Sequence, residues 1–554
     1  MNSGKWVKLR LNETGIYKIS YNELIEMGFS NPATISVFGN GGGMLPLKNS
    51  DFRHDDLVQN PISFEDVNND GAFNSNDYII FFGQSPHQWS YDSSRSMFLH
   101  TKHRYSDYTY YFLTDSKPVK IINSENSLPS GNINVTTFDD YAFHERDSLN
   151  LINSGAVWYG SCFDIVTNYN FNFNFPDIYS ASPLKAKVAV AARSSSTSSY
   201  TVSINSQSQT PLSVSSVNID SYTNSYAADG IGYYSVSTQS NNNTIRLTYN
   251  KANSSSIGWL NYITVNARRY LKMSGSQLNF RDVNSVGTGK IATYTITNAG
   301  SNLKVWDVTN PVNPFRIIPA SYNDGIFVFH AAADSLRQYI AFNDGSFLSP
   351  VRVGNVTNQN LHALENIDMV IISHPEFKTY ADQLAAHHRE KDNLSVVIAT
   401  PEEVYNEFSS GTPDVAAIRD FMRMLYDKAG SDESKMPLYL LLYGDGSYDN
   451  ASNSSSNTNF ILTYQSGNSL DPTQSYVCDD FYTLLDSNEG YVSGTETMDI
   501  GVGRLPVKSQ SEAQLVLDKI LNYTSTATFG DWRNVLTFVG DDAEDVTSHQ
   551  TQTD

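Results

Sequence analysis

At 554 residues the chain is too long for one hydrophobic core, and about three or four domains are expected. Its 37 basic and 58 acidic residues leave a formal charge of −21, which argues against a nucleic-acid partner, whose phosphates would be repelled. No apolar run is long enough to cross a bilayer as a helix, and two cysteines, Cys162 and Cys478, without a C-x-x-C pair disfavour a disulfide framework or a cysteine zinc site.

The first residues, Met1 to Trp6, lack the apolar core of a signal peptide. Trp6–Leu11 already reads as a strand, so the sequence is expected to start inside structure. With 34 tyrosines and 28 phenylalanines among many Ser, Asn and Thr, the N-terminal two thirds are expected to be largely β. Residues 1–130 read as an N-terminal β domain of short strands. In it Gly39-Asn40-Gly41-Gly42-Gly43 lacks the Lys-Ser/Thr and the helix of a phosphate loop, and is taken as a glycine turn.

Asp66 to Asp77 is the most specific local motif. Oxygen ligands fall at EF-hand positions 1, 3 and 5 (Asp66, Asn68, Asp70), and Gly71 stands at the sharp turn. Ala72 offers a carbonyl at 7, Asn74 an oxygen at 9, and Asp77 occupies 12, where an EF-hand has glutamate. The motif points to a structural Ca2+ that pins the loop to the strand starting at Asp77; an Asn/Asp-rich turn is the alternative.

Alternation in Tyr200–Ile204, Thr244–Tyr249 and Trp259–Val265 makes residues 131–275 a β-sandwich or jelly roll. Residues 276–360 continue as a smaller β-sandwich with strands at Thr293–Thr297, Leu303–Val308, Phe315–Pro319 and Ile326–Phe329. Near residue 360 the pattern changes to alternating strand and helix, the mark of a parallel sheet covered on both faces. Strands are expected at Ile367–Ser373, Leu394–Ala399, Leu438–Tyr443, Met498–Val502 and Asn534–Val539. Helices are expected at Glu376–Lys391, where Ser373 to Glu376 has capping-box spacing, from Thr412 to Gly430, and at Ser509–Tyr523. The fold class is therefore multidomain: β-sandwich-like domains followed by an α/β domain over 361–554, read as incomplete.

Chemistry in such a sheet gathers at the carboxyl ends of its strands, which selects His374 and Asp445 for attention. Helix packing and turn formation explain them equally well. Cys478 has acidic neighbours, Asp479 and Asp480, which would raise a thiol pKa, so a free or structural thiol is favoured over a nucleophile. His387 and His388 are adjacent and face different ways on a helix, unsuited to pairing on a metal.

Six ordered segments resemble the gingipain-type (C25) cysteine peptidases. They are Ile371–Phe377, Thr412–Phe421, Tyr439–Gly446, Asp480–Tyr482, Asp499–Pro506 and Trp532–Asp541. Upstream pieces, among them Thr14–Lys18, the Asp66 loop, Trp259–Arg269 and Val305–Val308, resemble the signal-peptidase/sortase branch of that family in type IX secretion. The resemblance implies a caspase/gingipain-like domain on the outer face of the outer membrane. It implies cargo proteins with C-terminal sorting domains, an anionic lipopolysaccharide acceptor and a β-barrel anchor as partners. Cleavage would pass through a cysteine thioester. The family's His-Gly segment and following cysteine have no counterpart here and are expected beyond Asp554, while Asp480 is the candidate carboxylate that orients the histidine. A solvated acidic turn, or a second calcium site, is the competing account of Asp480. A non-catalytic surface scaffold and a calcium-dependent, dockerin-like docking module are the rival functions.

Overall fold

The computed structural model describes residues 1–538 apart from 346, 452–455 and 493. Trp6–Leu11 is the organising strand of the N-terminal unit, with Thr109–Thr114 antiparallel on one side and Val351–Val356 on the other. Facing it, Tyr78–Gly83 pairs with Gly15–Ser20 and Ser63–Glu65. The residues between the sheets, Val7, Leu9, Tyr17, Ile79, Phe81 and Tyr111, form one apolar core.

The next unit packs the sheet of Thr137–Glu145, Ile257–Tyr270, Leu184–Arg193 and Ala228–Val236 against that of Asn168–Asn174, Asn242–Asn250 and Ser198–Ile204. The smaller sandwich is closed by stacked aromatics, with Tyr294 on Phe329 at 4.8 Å and Tyr339 beside them.

Strand pairing crosses the linear boundaries expected at 130 and 275. Asn123–Asn126 runs parallel to Phe315–Ile318, and Ile133–Val135 parallel to Ile291–Ile296, so both belong to the small sandwich. Val351–Val356 returns to the N-terminal sheet. An edge strand such as Asn123–Asn126, exposed throughout, is held by backbone bonds and carries no apolar alternation to reveal its partner.

The α/β unit has four parallel strands in the order β2-β1-β3-β4: β1 Met369–Ser373, β2 Val396–Ala399, β3 Tyr439–Tyr443 and β4 Gly501–Leu505. Its helices are α1 Lys378–Lys391, α2 Pro401–Phe408, α3 Val415–Ala429 and α4 Gln510–Thr524. Val370 and Ile372 pack on the α2/α3 side, Met369 and Ile371 on the α1/α4 side, as period-two alternation requires.

Four local expectations are revised. The turn before α1 is capped by His374, whose Nδ1 accepts from Glu376 N at 3.4 Å, rather than by Ser373. Thr400 and Glu403 form a capping box that opens α2, an element absent from the sequence reading. β4 begins three residues after Met498, because Asp499 turns inward to accept from Leu485 N. Asn534 ends a short 3-10 turn that starts at Asp531, and Val535, Leu536 and Phe538 that follow are exposed and unpaired, so Asn534–Phe538 is not a strand; Val539 lies outside the described residues.

Candidate functional site

Three strand ends meet at the carboxyl edge of the parallel sheet. After β1 comes His374, whose backbone N donates to Tyr443 O at 3.3 Å. After β3, Gly444 N and Asp445 N donate to Leu505 O and Val507 O of the segment following β4. The imidazole of His374 packs on Phe460 at 4.6 Å, and burial holds its pKa below the usual value against the opposing pull of Glu376. Burial thus disfavours the charged ring, and its Nδ1 is already the acceptor for Glu376 N.

Asp445 presents its carboxylate on the same edge. Oδ2 accepts from Thr458 Oγ1 at 2.5 Å and has Lys508 Nζ at 3.6 Å. Asp445 O accepts from Phe460 N and Ile461 N, which folds the polar insertion back over the strand ends.

The fixed point of this edge is Arg504 of β4, which the sequence reading passed over. Its Nε and Nη2 bind Asp479 in a fork, each at 2.8 Å, and its remaining N–H groups reach Gly444 O, Ile461 O and Leu462 O at 3.1–3.2 Å. Gly446 lets the loop approach this guanidinium: an added Cβ would meet Thr463 Cγ2 at 2.3 Å and Arg504 Nη1 at 3.1 Å. The signal that could have found it is a lone arginine inside a strand flanked by glycines, a side chain seldom buried without a carboxylate partner.

Asp479 is therefore engaged. Asp480 next to it is exposed, at the start of a 3-10 turn, with Cys478 as its neighbour. The Cys478 thiol is pushed up, first by burial and then by the Asp480 charge, despite backbone N–H groups of Asp480 and Phe481 that favour the thiolate. A thiol so disposed is a poor nucleophile. Cys162 lies in the large sandwich, and burial followed by Asp164 likewise raises its thiol. His388 pairs with Asp392 at 2.6 Å and His387 reaches Thr524, so the two are not brought together on a metal.

The large sandwich reaches this edge. Tyr464–Gln465 and Val477–Cys478 form a hairpin in the insertion after β3. Ala156 N donates to Ser466 O, Val157 N to Ser469 Oγ, and Tyr226 N to Leu470 O. Trp158 stacks on Tyr448, three residues past Asp445, at 5.8 Å and 19°.

The Asp66–Asp77 loop lies apart from this edge. Both oxygens of Asp66 accept backbone N–H groups, from Asp70 and Gly71. Asp77, 1% exposed, does the same for Val67 and Asn74. Asn69 and Gly71 take positive φ, 54° and 78°, which turns the loop inward. The side chains of Asn68 and Asn74 converge on Asp70 Oδ2, each at 2.8 Å, and the Asp70 carboxyl is held low by Ala72 N–H and Asn68. Rotation of the Asn68 amide aims its oxygen at the same point, whereas the Asn74 oxygen accepts from Asn76 N at 3.1 Å. Phe73 anchors the loop on Phe64 at 4.7 Å and on Tyr21 at 5.5 Å. Among the described residues no three His, Cys, Asp or Glu side chains gather as a metal cluster, so any ion here would draw on asparagine and carbonyl oxygens as well.

Residues 362–554 match the model of peptidase family C25. Among solved structures, the crystal structure of dimeric latent PorU from Porphyromonas gingivalis is similar at 28% identity and a TM-score of 0.85, over 96% of this chain and 50% of that one. The chain thus spans half the length of that structure. A CBM36 domain of a multidomain xylanase from the hindgut metagenome of Trinervitermes trinervoides matches over 23% of this chain and 96% of its own, at 10% identity and a TM-score of 0.14, too slight to carry an argument. No curated protein sequence matches.

Proposed function

We propose, from the similarity to PorU and the match of residues 362–554 to the model of peptidase family C25, that the chain is part of a type IX secretion signal peptidase and sortase. The observation that supports this reading most is the agreement with PorU over nearly the whole chain, the β domains included, together with the C25 match over the α/β unit. The reaction would remove C-terminal sorting domains from exported cargo. A cysteine thiolate attacks the peptide carbonyl carbon, the C–N bond breaks, and the leaving amine takes a proton from a histidine. The thioester is then resolved by water or by a sugar amine of a lipopolysaccharide anchor, on the outer face of the outer membrane beside a β-barrel partner.

Within this scheme the chain's own residues form one wall. Arg504 and Asp479 hold the strand-end loops, and His374 and Asp445 line the edge. Asp480 is the carboxylate left exposed to orient a histidine supplied from outside this sequence. The thiol of Cys478 is no nucleophile in this scheme, so the 554-residue chain alone should not turn over a fluorogenic cargo C-terminal peptide. Turnover that disappears in Cys478→Ala would overturn this division of labour. Deleting the gene in its host should leave cargo with untrimmed sorting domains; cargo trimmed as before would refute the secretion role.

For the Asp66–Asp77 loop we propose structural Ca2+ binding through the oxygens of Asp66, Asn68, Asp70, Asn74 and Asp77 and the carbonyl of Ala72. The support is the convergence of Asn68 and Asn74 on Asp70 with two inward-turned residues between. Calorimetric titration with CaCl2 should show a binding heat that Asp70→Ala removes, and equal heats for the two proteins would refute the site.

A further inference from the structure

A second concave region lies away from the strand edge. It is an open cleft of about 1140 Å³ where the N-terminal unit, both sandwiches and the start of α3 meet. His374, Asp445 and Arg504 do not line it. Its walls are mostly irregular segments carrying amide side chains, among them Asn40, Gln84, Asn279, Asn310 and Gln338.

One wall is an ordered aromatic stack. Trp89 lies on Tyr141 with centroids 3.8 Å apart and planes 20° apart, and the guanidinium of Arg281 sits 4.4 Å from the same Tyr141 ring. A ring and a guanidinium cannot share one face at these distances, so Arg281 and Trp89 cover opposite faces of Tyr141. Trp89 is half-buried, with His100 and Phe143 around it at 5.5 and 5.9 Å. All three stack members line the cleft. Arg281 is 2% exposed; its Nη1 donates to Asp139 O at 3.1 Å, while its Nε, also buried, has no hydrogen-bond partner.

We propose that this cleft is a saccharide-binding site, with Trp89 as the stacking platform. A pyranose ring has one face of C–H groups that packs on an indole, and hydroxyls at its rim that both donate and accept. Amide side chains are the matching lining, since each both donates and accepts. Pockets for apolar ligands are lined mainly by aliphatic and aromatic side chains, which is not the character of these walls. An extended peptide would instead pair with a strand edge; the free edge of Gln88–Asp92 makes that the competing occupant.

The proposal does not rest on the peptidase reading, and its test needs no catalysis. The 554-residue chain is applied to an array of immobilised oligosaccharides covering neutral hexose, N-acetylhexosamine and uronic-acid chains, with an array of extended peptides alongside. Wild type should be retained on at least one glycan class. Trp89→Ala should weaken that retention at least about tenfold, a loss of roughly 1.4 kcal/mol, while Trp89→Phe, which keeps an aromatic face, should stay within about threefold. Gln338→Ala, a change that leaves the stack untouched, guards against misfolding of Trp89→Ala and should also weaken retention. The proposal is overturned if wild type binds no glycan, if Trp89→Ala binds as wild type does, or if only peptides are held.

Discussion

Helices α3 and α4 cover opposite faces of one parallel sheet, and they are held in different ways. On α3 three charged residues, Arg419, Asp420 and Arg423, turn inward. Arg419 is fully buried, bonds Gly490 O at 3.2 Å and lies 4.4 Å from the Phe481 ring; Asp420 pairs with Arg53 of the N-terminal unit at 2.6 Å; Arg423 reaches Asn49 O at 2.7 Å. Asp414 caps α3 and also accepts from Leu45 N at 2.9 Å; burial raises its pKa to about 6, although Leu45 N–H and Ala416 N–H oppose this. On α4 only Ala513 and Leu517 are buried, while Leu515 and Tyr523 are 67% and 56% exposed. The α3 face is therefore a domain junction built from directional bonds, and the α4 face a helix laid on a sheet mainly by apolar contact, with the Tyr443 hydroxyl donating to Ala513 O at 3.0 Å.

The junction should break hardest. Arg53→Ala strands the Asp420 carboxylate, whose pKa burial already raises, and breaking such a buried pair costs about 3–5 kcal/mol. Hydrogen exchange should show local opening across residues 44–57 and α3 with little change in α4. Protection as in wild type would mean that the pair does not hold the junction. The strand-edge counterpart is smaller: Arg504→Lys keeps the charge but loses the fork on Asp479, an expected loss of about 2 kcal/mol in denaturant unfolding.

The contrast also separates what the sequence disclosed from what it hid. The strands that became β1 and β3 are unbroken apolar runs, and α3 has an Asp414 cap and a Gly430 stop, so alternation and edge were readable. The pairing of Trp6–Leu11 with Val351–Val356 was not, because an edge strand can join many sheets without changing its pattern. Helix α2 was missed although Thr400 to Glu403 is a plain capping box, since eight residues give little periodicity. At the candidate site His374 and Asp445 were legible because they follow strands. Arg504 and the division of roles between Asp479 and Asp480 were not, because a fork between residues 25 apart leaves no local trace.

The linker into the α/β unit packs on the α2/α3 side of the sheet, and it is expected to respond to pH. Glu407, 1% exposed, accepts from Leu361 N, His362 N, Gln359 Nε2 and His362 Nδ1. Burial raises its pKa, but these bonds outweigh burial and leave it lowered. For His362 burial acts downward, and the Glu407 hydrogen bond with the charges of Asp56 and Asp55 leaves it raised. A raised His362 stabilises fully below its unfolded value, about 6.5, and loses this as pH rises through the folded one. A lowered Glu407 stabilises above about 4.3 and fails as pH falls through its folded value. The stability gap between wild type and Glu407→Gln should therefore be widest near pH 5–6 and narrow on both sides. A gap that is flat from pH 4 to 9 would show that the pair does not titrate as a unit.

The mildest change is expected on α4. Leu515 is 67% exposed, and exposed positions away from caps and buried networks tolerate substitution within about 0.5 kcal/mol. Leu515→Glu should leave the unfolding midpoint of this chain nearly unchanged. The added carboxylate sits in the second turn of a helix already capped by Ser509, with Glu512 in its first turn, where negative charge is tolerated. A loss above 2 kcal/mol would mean that Leu515 is covered in solution. The α4 face would then be a junction like that of α3, and the contrast between the two faces would fall.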